Sequence, residues 1–183
     1  MIAKSPSYVC FVDMCKSVDT VEHNLLWHKL QRIGVRGKFL TAVQSLYNEV
    51  KCTVRVNNDL TPWFNVEAGV KQGCILFPTL FSIYINDLAD RINSLNCGVP
   101  FDDFCLSLLL YADDIALIAP DENSFQRMLD VVSDWCTTWK LSINGNKTKV
   151  MHFRPQSFER SEFIFQSSEN TQDYCESYTY LGV

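Results

Sequence analysis

The chain has 183 residues, a length that suits one domain with or without a ragged end. Hydrophobic residues make up 47% of the sequence, which is enough for a packed core and excludes a disordered chain. The formal net charge is −5, whereas a domain that binds nucleic acid alone usually has a basic surface. Either the basic residues that would contact nucleic acid lie on segments outside this sequence, or some of the acids are metal ligands whose charge a cation neutralises.

Eight cysteines are spread along the chain, and none forms the C-x-x-C pair typical of a zinc site. No charged-then-apolar leader opens the sequence, and no apolar run approaches the roughly 20 residues that span a bilayer. We therefore expect reduced thiols in a cytoplasmic or nuclear protein that is neither secreted nor inserted in a membrane.

Apolar periodicity predicts helices and strands that alternate irregularly. In chain order these are a buried strand at 8–12, helices at 22–33 and 38–47, a hairpin of 52–56 with 63–66 that bends near 57–58, a long helix from Pro78, a hairpin of 106–110 with 115–119, a helix at 122–140, and short strands at 150–153 and 163–165. The polar stretch 155–177 predicts a loop or a boundary zone. Because hairpins imply antiparallel pairing, the predicted class is α+β, an antiparallel sheet with helices packed on one face.

Residues at helical spacing predict the buried face of each helix. Gly34 is placed to end the first helix, and Pro78 suits the first turn of the third. Trp135 and Trp139 are predicted as core rather than as a platform for stacked bases. The predicted buried positions are Leu26, Leu30 and Ile33; Phe39, Val43, Leu46 and Tyr47; Leu80, Phe81, Tyr84, Leu88 and Ile92; and Phe125, Met128, Leu129, Val132, Trp135, Cys136 and Trp139.

Three acids stand beside apolar strands, where a carboxylate is costly unless it meets water, a partner or a metal. Asp13 ends the first strand, and Asp113 and Asp114 lie at the bend of a hairpin. Gathered together, they could hold two divalent cations for phosphoryl transfer. Pattern alone leaves the other interpretation open, namely solvated acids in turns. A second pair, Asp102 and Asp103, is predicted to lie in a loop.

Five segments resemble, in order, motifs A to E of the reverse transcriptases of non-LTR (LINE-type) retrotransposons. FVDMCKSVD at 11–19 resembles motif A, GVKQGCILFP at 69–78 motif B, YADD at 111–114 motif C, LSIN at 141–144 with NKTK at 146–149 motif D, and YTYLG at 178–182 the start of motif E. Any one of these segments is a weak signal. Five in the family's order, over nearly the whole chain, are highly specific.

The resemblance implies a right-hand polymerase palm that acts as an RNA-directed DNA polymerase. Its partners would be an RNA template, a DNA primer and deoxynucleoside triphosphates. Asp13, Asp113 and Asp114 match the acids that bind two Mg²⁺ ions, with Mn²⁺ as an alternative. Such ions would lower the pKa of the primer 3′-hydroxyl and support the pyrophosphate leaving group. Lys147 matches a candidate proton donor to pyrophosphate, and a solvated surface lysine is the alternative.

Further positions match the family's binding surfaces. Val18, Gln72 and Gly73 match residues near the incoming nucleotide and template. Residues 1–154 would form the palm, and 155–183 a polar loop with the start of the primer grip, at Tyr180, Leu181 and Gly182.

Two residues depart from the family pattern. Val18 replaces a bulky aromatic that excludes the 2′-hydroxyl of ribonucleotides, which puts sugar discrimination in doubt. Phe77 replaces a helix-capping serine. Fingers and thumb segments of the parent protein are expected to be largely missing.

Three hypotheses remain open. The first is the catalytic palm of an RNA-directed DNA polymerase. The second is a catalytically inactive retrotransposon-derived fragment that acts, if at all, as a binding or structural remnant. The third is another two-metal enzyme on a similar sheet, such as a nucleotidyl cyclase, against which the motif B loop and Lys147 argue.

Overall fold

Residues 6–71, 73–168 and 170–182 are described by a computed structural model of the protein. They fall into two units: residues 6–17 with those from Ile85 onward form the first, and Val18–Tyr84 forms the second. These boundaries come from contacts within the chain. The division at residue 155 between palm and primer grip concerns function and stays a prediction.

The described residues contain four helices and a series of mostly short strands. In chain order they are β1 (Ser7–Val12), α1 (His23–Arg32), α2 (Gly37–Ser45), β2 (Lys51–Cys52), β3 (Arg55–Val56), β4 (Asp59–Leu60), β5 (Phe64–Asn65), α3 (Phe77–Ser94), β6 (Val99–Phe101), β7 (Phe104–Leu106), β8 (Leu108–Tyr111), β9 (Asp114–Ala119), α4 (Glu122–Thr138), β10 (Lys149–Phe153), β11 (Gln166–Ser167), β12 (Asn170–Thr171) and β13 (Asp173–Tyr174).

A five-stranded sheet organises the first unit, in the order β13-β10-β1-β9-β8. All neighbours are antiparallel except β10 and β13, which are parallel. Cys10 at the centre of β1 faces Leu117 on one side and Val150 on the other, and all three are fully buried. Since residues paired across strands point to the same face, this face of the sheet forms the core.

Helix α4 packs on the core face of the sheet. The Phe125 ring of α4 lies 6.0 Å from the ring of Tyr8, which is on the same face as Cys10. Asp121 caps the helix by accepting a hydrogen bond from the Ser124 backbone N–H, and this bond lowers the pKa of Asp121. The buried stripe is the predicted one: Phe125, Met128, Leu129, Val132, Trp135, Cys136 and Trp139. The predicted α+β class, with antiparallel pairing in the main sheet, is confirmed.

The second unit contains α1, α2 and the first half of α3, with two short strand pairs. Strand β2 pairs with β5, and β3 pairs with β4 around a turn at Asn57 and Asn58, which both have positive φ. The predicted bend is therefore confirmed. Gly34 ends α1 at φ +94°, where the Val35 N–H reaches back to the Leu30 carbonyl, as in a Schellman cap.

Several predicted positions in α1 and α2 are wrong. Ile33, Phe39 and Leu46 are exposed rather than buried, while Leu40 is buried. Ile33 is the residue just past the end of α1, outside its regular stripe. In α2 and the turn that follows it, the buried stripe runs through Leu40, Val43 and Tyr47, at spacings of three and four, and Phe39 and Leu46 lie beside it. The predicted buried face of α3 is confirmed.

The polar segment 155–177 is not a plain loop, so that prediction was wrong. It contains β11, β12 and β13, and β13 joins the main sheet. The strand predicted at 163–165 is absent from the described residues, and Phe165 is instead a buried part of the core, with its ring 5.5 Å from Tyr8 and 4.6 Å from Phe125. A hairpin of β6 and β7 was also missed. Its turn holds Asp102 and Asp103, so the prediction that this pair lies in a loop is confirmed.

All eight cysteines are free thiols, as predicted. Within the described part of the chain, no helix combines the length and the apolar character needed to cross a membrane.

Candidate active site at the end of the central strands

The pairing of β1 with β9 brings the three predicted acids together where these two central strands meet the ends of the sheet, at the C-terminal end of β1 and the N-terminal end of β9. Val12, the last residue of β1, pairs with Ile115. Asp13 follows Val12 directly, Asp114 is the first residue of β9, and Asp113 lies in the turn before it. The acids are separated by about a hundred positions in the chain, yet the antiparallel register makes them neighbours.

The electrostatics agree with this proximity. Burial raises the pKa of Asp114, and the charges of Asp113 and Asp13 raise it further. The pKa of Tyr178 is raised by burial and then by the charges of Asp13 and Asp114. Negative charge therefore accumulates at this edge, and a bound cation would relieve the repulsion.

A buried serine, which the sequence did not single out, holds one of the acids. Ser17 is 2% exposed, and its Oγ donates a hydrogen bond of 2.8 Å to Oδ2 of Asp113. A hydrogen bond to a charged acceptor fixes a carboxylate better than a neutral pair does. No local pattern marks a serine within a turn as a partner of an acid 96 positions away.

The motif D segment is bound to the backbone of Asp13 from both sides. The Asp13 N–H donates to Thr148 Oγ1 at 3.2 Å, and the Asn144 N–H donates to the Asp13 carbonyl at 2.8 Å. Lys147 is exposed on the same turn, where its N–H donates to the Asn144 carbonyl. Thr148 is fully buried and was also missed by the sequence reading.

The start of motif E lies against the other face of the sheet. The Phe11 ring stacks on Tyr178 with centroids 4.3 Å apart and planes 2° from parallel, and Tyr180 lies 5.5 Å away. The charge of Asp114 contributes to a raised pKa of Tyr180, after burial. Leu181 and Gly182 are exposed and have positive φ.

The remaining predicted residues belong to the second unit. The Val18 carbonyl accepts a hydrogen bond from the Val70 N–H at 3.0 Å, which ties the end of motif A to the start of motif B. Gly73 has φ +81° and open space where a Cβ would stand, whereas a Cβ on Gly69 would meet the Asp19 carbonyl oxygen at 2.9 Å. Gln72 lies outside the described residues.

The acids fit a hard divalent cation by their chemistry, since carboxylate oxygens are the ligands that Mg²⁺ prefers. In the described ranges, no group of three or more His, Cys, Asp or Glu side chains is placed so that it could hold a metal ion by itself. Magnesium usually binds one or two carboxylates together with substrate phosphates and water, so a complete protein cage is not required. The residues that would hold it are Asp13, Asp113 and Asp114.

Comparison with known proteins decides the family. The family model described as reverse transcriptase (RNA-dependent DNA polymerase) matches residues 2–183. The chain belongs to the reverse transcriptase family. Reverse transcriptases generally use divalent metal ions, which agrees with the acids at the sheet edge. Membership also disfavours the nucleotidyl cyclase hypothesis.

Two relatives come from mobile elements. The RNA-directed DNA polymerase from mobile element jockey of Drosophila funebris is 26% identical over 180 residues, covering 95% of this chain and 19% of the relative. The probable RNA-directed DNA polymerase from transposon BS of Drosophila melanogaster is 30% identical over 144 residues, covering 75% of this chain and 15% of the relative. The similarity to non-LTR elements is therefore confirmed. The chain spans less than a fifth of the length of these relatives.

A solved structure supports the fold independently. Telomerase from Candida tropicalis, determined in complex with a fragment of telomeric RNA, superposes with a TM-score of 0.64 at 15% identity. The match covers 87% of this chain and 28% of the telomerase chain. At this identity the match shows the shared polymerase fold and nothing about ligands.

Proposed function

We propose that this chain is the catalytic palm of an RNA-directed DNA polymerase of a non-LTR retrotransposon. Its substrates would be an RNA template, a DNA primer and deoxynucleoside triphosphates, and it would act in the cytoplasm or nucleus. Asp13, Asp113 and Asp114 would hold two magnesium ions, which manganese could replace. When bound, these ions supply the positive charge that activates the primer 3′-hydroxyl and supports the departing pyrophosphate.

The register of β1 against β9 carries the proposal. The alternative interpretation, solvated acids in separate turns, does not require Asp13 and Asp114 to lie close together. This register makes them neighbours on adjacent strands. Partial burial and then the charges of Asp113 and Asp13 raise the pKa of Asp114, so these like charges lie close enough to affect one another. Such an arrangement is typical of a functional site.

The chain's own residues would position the acids before substrate arrives. Ser17 holds Asp113, and the motif D turn fixes the backbone of Asp13 through Asn144 and Thr148. Lys147, exposed on that turn, is proposed to give a proton to pyrophosphate. The incoming nucleotide and the template are proposed to contact Gln72 and Gly73. The primer is proposed to contact the segment from Tyr180 to Gly182.

Primer extension tests the proposal directly. The purified protein would be given a 5′-labelled DNA primer annealed to RNA, with deoxynucleoside triphosphates and magnesium, and the products would be resolved by length. Asp13→Asn is expected to abolish templated extension, because it removes a metal-binding charge and nearly preserves shape. Asp59→Asn, a change of the same kind at an exposed strand residue of the second unit, is the control.

Extension by Asp13→Asn at the rate of the unaltered chain would exclude the proposed role of Asp13. The second hypothesis, an inactive fragment, predicts no templated product from either protein. A product that adds nucleotides in the order dictated by the template would therefore decide between the two hypotheses.

A narrower proposal concerns Val18 and the selection of deoxyribose over ribose. With a valine in place of the family's aromatic, we expect ribonucleotides to be excluded poorly. Val18→Phe should increase the preference for deoxynucleotides, measured as the ratio of kcat/KM for dGTP and GTP on one template. An unchanged ratio would assign sugar selection to another residue.

A further inference from the structure

The second unit carries a cavity whose lining residues all lie between Glu22 and Ala68, and which no proposed catalytic role involves. Its volume is about 780 Å³. A second cavity of about 410 Å³ shares Glu67 with it, so the two border one another. Together they are wide enough for a side chain and the peptide segment that bears it.

Three aromatic rings line the first cavity. His23, Trp27 and Tyr47 form a mutual cluster with centroid distances of 5.1 to 5.9 Å. The His23 ring is oriented by a hydrogen bond of 2.8 Å between its Nε2 and the Gly69 carbonyl. A cation of the chain itself, Lys71, already lies over the Tyr47 ring at 5.8 Å. Aromatic faces of this kind attract cations.

The charge around these rings is negative. Glu22 and Glu67 line the first cavity, and Glu49 and Glu67 line the second, so that three carboxylates face two lysines, Lys51 and Lys71. Three carboxylates repel the phosphates of a nucleic acid and attract a basic group. The partner that fits this surface is therefore a protein segment rather than RNA or DNA.

The remaining polar groups favour arginine over lysine. Asn24, Gln44 and Asn48 line the first cavity and offer side-chain carbonyl oxygens as acceptors. A guanidinium presents five donors in one plane and stacks on aromatic faces, whereas an ammonium is a strongly hydrated point charge.

We propose that this acidic aromatic cavity binds an arginine side chain of a basic segment from a partner protein. The backbone of that segment would lie along the second cavity, close to Glu49 and Glu67. The proposal is independent of the polymerase chemistry, since none of its residues is a proposed metal ligand or nucleotide contact.

Nuclear magnetic resonance on the ¹⁵N-labelled chain tests it. The probes are three blocked pentapeptides that differ only at the central residue: arginine, lysine, or citrulline, which has nearly the shape of arginine without its charge. The arginine peptide is expected to shift signals of residues 22–27, 41–48 and 67–68, and to bind at least about tenfold more tightly than the citrulline peptide. Binding should weaken as salt is raised.

Variants separate the cavity from general charge. Glu67→Gln should weaken arginine-peptide binding by up to about fivefold, and Trp27→Leu by up to about thirtyfold. Glu159→Gln, which removes the same charge at an exposed position of the first unit, should bind like the unaltered chain. Spectral dispersion of each variant checks that it is folded.

Equal affinity for the arginine and citrulline peptides would overturn the proposal, as would equal loss on Glu67→Gln and Glu159→Gln. A single-stranded RNA oligonucleotide that shifts the same signals more strongly than the arginine peptide would also overturn it and would assign the cavity to nucleic acid.

Discussion

Two hairpins of the first unit carry the same local feature, a pair of adjacent aspartates at the bend. In one, Asp102 and Asp103 join β6 to β7; in the other, Asp113 lies in the turn after β8 and Asp114 begins β9. Each bend also has a non-glycine residue at positive φ. The larger difference lies in the surroundings of the two hairpins. Strands β6 and β7 form a sheet of their own, whereas β9 pairs with β1 and so meets Asp13. Long-range register, not the acid pair, makes the candidate site.

The largest expected effect comes from neutralising one acid in each hairpin. Asp113→Asn should lower the rate of templated primer extension by about a thousandfold or more, because a metal ligand supplies several kcal/mol of transition-state stabilisation. Asp103→Asn should leave the rate unchanged. Single-turnover kinetics on one template would measure both. Similar losses in the two variants would mean that overall charge, and not the site, controls the rate.

Buried serines give the next comparison. Ser17→Ala removes the hydrogen bond to Asp113, and Ser107→Ala removes one to Asn93 of 2.7 Å. Both serines are buried, so each variant should lose about 1 kcal/mol of unfolding free energy in urea. Only Ser17→Ala should also slow extension, by about 10- to 100-fold, as changes in the groups that support metal ligands do.

The magnesium dependence distinguishes positioning from simple destabilisation. Because Ser17 bonds to Asp113, a proposed metal ligand, Ser17→Ala should require a higher magnesium concentration for half-maximal rate, whereas Ser107→Ala should not. If both serine variants are equally slow and share one magnesium dependence, the hydroxyl of Ser17 is structural only.

Magnesium should also stabilise the fold without any substrate. At ten times its Kd, a ligand of the native state adds about 1.4 kcal/mol, which raises Tm by about 3–6 °C for a chain of this size. The rise should persist in Asp103→Asn and shrink in Asp114→Asn, as measured by calorimetry with magnesium or with EDTA. A full rise in Asp114→Asn would remove that residue from the metal site.

The sequence predicted the parts of the fold that local pattern determines. Helix α4 has a continuous apolar stripe at helical spacing, so its place and its buried face were both clear from the sequence. The hairpin at Asp113 and Asp114 was clear for the same reason, because two apolar runs flank a polar bend. The pattern of residues singled out the three acids but left their meeting undecided, and the motifs supplied their expected role.

What the sequence missed depends on contacts between distant segments. Strand β13 has two residues and no apolar alternation, and it exists because β10 offers it an open edge. Phe165 was assigned to a strand but packs between the rings of Tyr8 and Phe125. Ser17 and Thr148 are small polar residues whose role appears only once their partners are near. Such positions carry no periodic signal.

The smallest expected effect concerns backbone strain at the two bends. Ala112 has φ +52° and Asp102 has φ +47°. An alanine in the left-handed region costs about 1–2 kcal/mol, whereas aspartate and asparagine tolerate it because their side chains bond locally. Glycine relieves the strain but adds freedom to the unfolded chain, which costs about 0.4–1 kcal/mol. Ala112→Gly should therefore stabilise the fold by a few tenths of a kcal/mol to about 1 kcal/mol.

At the other bend, Asp102→Gly should be no more stable than Asp102→Asn, a reference that removes the same charge. Urea denaturation of these three variants and the unaltered chain would measure the differences in unfolding free energy. If Ala112→Gly gains nothing, the bend at the acids is not strained. If it gains stability but slows extension, the strain at Ala112 helps to aim Asp113 and Asp114, because backbone strain persists where the surrounding structure and its function require it. The hairpin at Asp102, which has no such function, would then show no loss of rate on the same change.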